Sequence, residues 1–136
     1  MVALTESRLT PKRDGRRYSR GAAAGVKIFA GAIVALSAAG FATPGATAVG
    51  LTADGIAVDD VDNTNGANGA LQVEVEKGTF RFANSAAGDA ITAAEIGDTA
   101  YIVDDQTVAK TDGGATRSVA GKIVDVDAQG VWIEIA

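Results

Sequence analysis

Leu71-Gln72-Val73-Glu74-Val75-Glu76-Lys77 runs into Gly78 and then into Thr79-Phe80-Arg81-Phe82-Ala83. Apolar and polar residues alternate through the first stretch, so Leu71, Val73 and Val75 share one face and Gln72, Glu74 and Glu76 the other. Period two over this length makes a half-buried strand. Gly78 interrupts it, and the return through Phe80 and Phe82 reads as the second arm of a hairpin. The same grammar recurs downstream. Thr99 to Val103 forms a strand ending at Asp104-Asp105, and Thr107 to Ala109 a short one stopped by Asp112-Gly113-Gly114. Ser118 to Val126 is a longer strand with Gly121 inside it, where a bulge or a close backbone approach is expected. Asp127-Ala128-Gln129-Gly130 then turns the chain into Val131-Trp132-Ile133-Glu134-Ile135. The expected core is Val73, Val75, Phe80, Phe82, Ile123, Val131, Ile133 and Ile135. Trp132 lies opposite the Val/Ile face and is read as core packing of a second face or as a subunit contact.

Helical signals are sparse. Thr92-Ala93-Ala94-Glu95 is a capping box, and Gly97 is placed to stop the helix after about a turn. Asp62 to Gly69 (Asp-Asn-Thr-Asn-Gly-Ala-Asn-Gly) is a loop. Many short strands punctuated by turns predict an all-β protein: a small β-barrel or sandwich-like domain with one short helix and an extended N-terminal arm.

Composition agrees with that reading. The 136 residues suit one domain, 47% are hydrophobic, and Gly (17) far outnumbers Pro (2). The chain has no Cys and no His. A thiol nucleophile, a disulfide framework, a His general base and the common zinc sites are therefore excluded, and no enzymatic activity is expected. The remaining candidates are carboxylates. Asp59-Asp60-Val61-Asp62-Asn63 lacks the order and the terminal Glu of a calcium loop. Asp104-Asp105 and Asp125/Asp127 are possible acid/base pairs for a small hydrolase, but turn caps and soluble strand edges are the favoured reading. Gly113-Gly114 has no following Lys-Ser or Lys-Thr and is no phosphate loop. No catalytic, cofactor-binding or metal-ligating residue is assigned.

Charge divides the chain. Residues 1–27 carry seven cations and two carboxylates, a net +5, while residues 28–136 carry five cations and fifteen carboxylates, a net −10. The body repels nucleic acid, so only the arm can seek an anionic partner. Residues 1–20 form a basic arm whose candidate attachment residues are Arg8, Lys12, Arg13, Arg16, Arg17 and Arg20. Residues 21–136 form the β-rich domain.

From Ile28 to Ala53 no residue is charged. With basic residues before it and Ala46-Thr47-Ala48 near its end, this run invites an alternative: an exported small β-domain with residues 1–48 as a cleaved signal peptide. Arg16-Arg17 even suggests a twin-arginine signal. Gly31, Gly40, Gly45, Gly50 and Pro44 argue against a helix there, each Gly costing about 1 kcal/mol relative to Ala. Val26 to Phe29, Ala32 to Leu36 and Phe41 to Pro44 read instead as short strands.

Taken in order, these segments resemble a known family. Lys27-Ile28-Phe29-Ala30-Gly31-Ala32-Ile33-Val34 and Gly40-Phe41-Ala42-Thr43-Pro44 are similar to the "K-I-Y-x-G-A-L-V … G-Y-A-x-P" opening of the head decoration (capsid cement) proteins of tailed phages and Mu-like prophages. The likeness continues through Val61-Asp62-Asn63, Gly66-Ala67 and Val75 to Asn84, then Ile96 to Tyr101, Val103 to Ala109, Ala120 to Asp127 and Gly130-Val131-Trp132. Leu9 to Gly15 is similar to the family's N-terminal arm, although Arg16-Arg17-Tyr18-Ser19-Arg20 is more basic than the family pattern. The resemblance implies a homotrimeric virion protein on the outer surface of the capsid, bound to the major capsid protein. It implies no enzymatic role, no cofactor, no nucleic-acid partner and no membrane, and it places the uncharged run within the folded domain.

Overall fold

A computed structural model describes residues 2–10, 13 and 15–136. The N-terminal half contributes β1 (Arg17–Gly21), β2 (Lys27–Ile28), β3 (Ile33–Leu36), β4 (Ala42–Pro44), β5 (Thr52–Ala57), β6 (Val61–Asp62) and β7 (Gln72–Glu76). Five of these form an antiparallel sheet in the order β1-β7-β5-β3-β4, and β2 pairs with β6 beside it. Just past β1, Ala22 bridges Ala42 of β4, and the Ala23 N–H donates to the Ala42 carbonyl at 2.9 Å. The two ends of the sheet are thereby drawn together.

The C-terminal half supplies β8 (Gly78–Asn84), β9 (Thr99–Ile102), β10 (Thr107–Ala109), β11 (Val119–Asp127) and β12 (Gly130–Ile135). They close a barrel in the order β10-β8-β12-β11-β9. Its seams are antiparallel except for the parallel pair β8/β10. Closure leaves this half without an open edge to template pairing with other chains. The fold is that of a small all-β protein with a closed five-stranded barrel, as the strand grammar predicts.

Two cores follow from the alternation. Phe82, Ile102, Ile123, Val131, Ile133 and Ile135 fill the barrel, and Ile28, Val34, Val73 and Val75 centre the core of the sheet. Strand β3 belongs to both: Ile33 and Ala35 join the barrel core while Val34 faces the other way. A strand buried on both faces has to be apolar throughout. That accounts for the densest part of the uncharged run, which supplies β2, β3, β4 and the start of β5. A cut after Ala48 would remove β1 to β4 and open both cores. Among the described residues, no helix is long and apolar enough to cross a membrane.

Several expectations need correction. The stretch around Gly78 is no hairpin: β7 pairs with β1 and β5, whereas β8 pairs with β12 and β10. Only Lys77 separates the two strands, too little for a two-residue turn, and the chain passes there from one sheet into the other. Leu71 precedes β7 and is exposed, and Phe80 is only half-buried against the barrel core. The capping box does form: the Thr92 N–H donates to Glu95 Oε1 at 2.7 Å and the Ala94 N–H to Thr92 Oγ1 at 3.3 Å. It starts a 3-10 turn over Ala93–Glu95, and a second such turn spans Ala87–Asp89.

Gly121 sits at the expected close approach. A Cβ there would stand 2.3 Å from the Glu134 carbonyl oxygen, and the β9/β11 register shifts between Val119 and Gly121.

Candidate functional site

The basic arm divides into cations that hold the fold and cations that face outward. Strand β1 begins at Arg17, so the expected arm boundary at residue 20 falls inside the sheet. The cause is local: Tyr18 and Arg20 alternate with Arg17 and Ser19, which lets β1 lie along β7 over five paired positions. Arg17 Nε meets Glu76 Oε1 at 3.3 Å, an exposed cross-strand ion pair.

Arg20 points inward. Its Nε and Nη2 donate to the two carboxylate oxygens of Asp54 at 2.7 and 3.0 Å, a forked contact. Lys77 Nζ donates to the same carboxylate at 2.9 Å and to the Asp54 carbonyl at 3.1 Å. The Asp54 side chain is only 4% exposed. Burial by itself would raise its pKa; the hydrogen bonds from Arg20 and Lys77 outweigh this and hold the carboxyl below its usual range. The same hydrogen bond from the other side raises Arg20 further.

Tyr18 is the hub of the cluster. The Arg20 guanidinium lies 5.0 Å from the ring centroid, Lys77 Nζ 5.7 Å and the Arg13 guanidinium 5.9 Å, all within cation–π range. Arg8, Arg13 and Arg16 are exposed and form no ion pair with another described residue. Lys12 lies outside the described residues. Residues 2–10 are exposed and enter no strand, with Val2, Leu4 and Leu9 among the most exposed apolar side chains.

The carboxylate candidates serve the backbone. Asp60 accepts from the Ala30 N–H at 2.7 Å, Asp104 from Gln106 at 2.9 Å and Asp125 from Val126 at 2.8 Å. Asp127 accepts from Trp132 Nε1 at 3.1 Å and from the N–H groups of Gln129 and Gly130, contacts that lower its pKa. Asp104 and Asp127 thus cap turns, whereas Asp60 ties its segment to Ala30 across the chain and Asp125 holds the next N–H within β11. Trp132 departs from the core-packing expectation. It is half-exposed on the outer barrel face, with the Arg81 guanidinium 5.8 Å from its ring centroid.

Two polar residues carry roles that the loop reading did not single out. Asn63 is buried; its Nδ2 lies 2.8 Å from the Ala23 carbonyl, 3.0 Å from that of Ala67 and 3.3 Å from that of Ala22, tying the Asp62 to Gly69 loop to the segment after β1. Asn84 exchanges two bonds with the Ile91 backbone, at 2.8 and 2.9 Å, in the manner of a strand partner. Compared with protein-family models, curated proteins and solved structures, the chain finds no match.

Proposed function

We propose that this chain is a structural decoration protein of a phage head, which binds the outer surface of the capsid as a homotrimer and stabilises the shell. The observation that carries the reading is the division between a β body and a basic segment before Arg17 whose described residues (2–10, 13, 15 and 16) lie exposed, outside every strand. Such a segment cannot bury a hydrophobic face of its own and orders only where a partner supplies contacts. The ordered likeness to the decoration proteins gives that partner an identity, the major capsid protein. Drawn out at about 3.3 Å per residue, residues 2–16 would reach roughly 50 Å, enough to cross from one shell subunit to its neighbour. A local three-fold axis of an icosahedral shell suits a trimer, because cyclic symmetry closes the contact set.

The test is whether the chain co-purifies with genome-filled particles near stoichiometry with the shell protein, and whether a particle reconstruction shows it outside at three-fold positions. Its absence from the particles, or an intact mass corresponding to cleavage after Ala48, would refute the proposal and favour the exported β-domain.

A further inference from the structure

The loop between β6 and β7 contains one tripeptide twice, as Asn65-Gly66-Ala67 and Asn68-Gly69-Ala70. Asn-Gly is a dipeptide prone to spontaneous deamidation, because asparagine is chemically labile and glycine has no side chain to shield its backbone nitrogen. The reacting glycine and the residue after it are the same at both sites, so a difference between them is made by the fold. We infer that Asn65 is a deamidation site of the folded protein, whereas Asn68 is protected by its contacts with the segment after β1.

The reaction needs only water and base. The Gly66 backbone nitrogen gives its proton to hydroxide and attacks Cγ of Asn65. The new N–Cγ bond closes a succinimide ring as the side-chain amide leaves, taking a proton from water to depart as ammonia. Water then opens the ring at either carbonyl and leaves aspartate or isoaspartate. Two conditions must be met: the asparagine side chain turns freely toward the nitrogen, and the nitrogen is released from its own hydrogen bond.

Asn68 is held on both counts. Its Oδ1 accepts from the Ala24 N–H at 2.8 Å, and the Gly69 N–H donates to the Ala22 carbonyl at 2.8 Å. Gly69 is also packed: its Cα lies 3.2 Å from where a Cβ on Gly21 would stand, at the end of β1. These partners belong to a segment distant in sequence. Asn68 and Gly69 therefore come free only when the loop lifts off it, which also breaks the contacts of the Asn63 amide with Ala22 and Ala23.

Asn65 stands differently. It is exposed, and its side chain makes no hydrogen bond with another described residue. The Gly66 N–H donates to the Asn63 carbonyl at 3.0 Å, a bond within a single turn of the loop. Fraying of that turn frees the nitrogen while Asn63 keeps its hold on Ala22 and Ala23, and such a local opening costs far less than displacing the whole loop.

The experiment keeps the full chain in mildly alkaline buffer, one sample folded and the other in concentrated urea. Both sites are followed over time by peptide mass and by isoaspartyl-specific methylation. In urea the two sites should convert at similar rates. In the folded chain, with its melting transition intact, Asn65 should convert at least about tenfold faster than Asn68. Amide hydrogen exchange gives a second readout, independent of the chemistry at asparagine: the Gly66 amide should exchange faster than that of Gly69. Equal conversion of the two sites in the folded chain, including none at either, would overturn the inference. So would faster conversion at Asn68, or a Gly69 amide that exchanges as fast as that of Gly66.

Discussion

Asp54 shows how a single residue couples β1 to the rest of the sheet. It interrupts an apolar strand, yet its carboxylate is buried because Arg20 from β1 and Lys77 beyond β7 both reach it. Removing one partner of a buried pair costs about 3–5 kcal/mol, and since the cations here are 25–29% exposed, Arg20→Met is expected near the lower end of that range. Chemical denaturation measures it; a loss below about 0.5 kcal/mol would mean that water screens the pair. The sign with pH follows from the depressed carboxyl. The stabilisation is present above the unfolded-state value of about 3.9 and is lost as pH falls through the lower folded value. Stability should therefore drop below about pH 4, and Asp54→Asn should flatten that part of the profile. In the barrel, Phe82 is 6% exposed, so Phe82→Ala should cost about 3–5 kcal/mol. An unchanged unfolding midpoint would show that the Phe82 face is assigned wrongly.

At the scale of elements, alternation made the strands legible and left their partners hidden. Val73 and Val75, or Val131, Ile133 and Ile135, declare a buried face through period two alone, and each is buried. Periodicity is local, however, and says nothing about which strand lies alongside. Gly78 looked like a hairpin turn because it separates two alternating runs, whereas it is the crossing between sheet and barrel. The arm boundary failed for a related reason: Arg17 to Arg20 lack an apolar face, and their strand is held by pairing to β7 and by the ion contacts of Arg17 and Arg20. The cluster around Tyr18 was half visible. Its arginines stood out as charge, but Asp54 and Lys77 come from distant segments that only the fold brings together. A pair of truncations tests the element boundary. Deleting residues 2–16 should leave the melting temperature within about 2 °C, the scale of a surface change. Deleting residues 2–21 removes β1 and Arg20, one of the two cations on Asp54, and should lower it by well over 5 °C. Equal melting of the two truncations would mean that β1 contributes nothing to the sheet.

On the scale of the whole molecule the charge is divided along the chain: residues 1–27 carry a net +5 and residues 28–136 a net −10. Individual arm contacts at exposed positions contribute only about 0.2–1 kcal/mol each and weaken with salt. Attachment to a shell under internal pressure would, under the decoration reading, need linkage, which a trimer would supply, because its second and third arms would bind at the high effective concentration set by the first. Under the decoration reading, the intact chain should scatter light as a trimer and bind undecorated capsids tightly at low salt, with affinity falling steeply as salt rises. The chain lacking residues 2–16 keeps β1 and both cores, so it should remain folded while losing most of the binding and most of the salt dependence. Joining the arm to a monomeric carrier protein should not restore tight attachment, since one arm lacks the linkage of three. Full-strength binding by the truncated chain would place attachment on the β body. Tight binding by the carrier with a single arm would make the linkage argument wrong while leaving the arm as the contact.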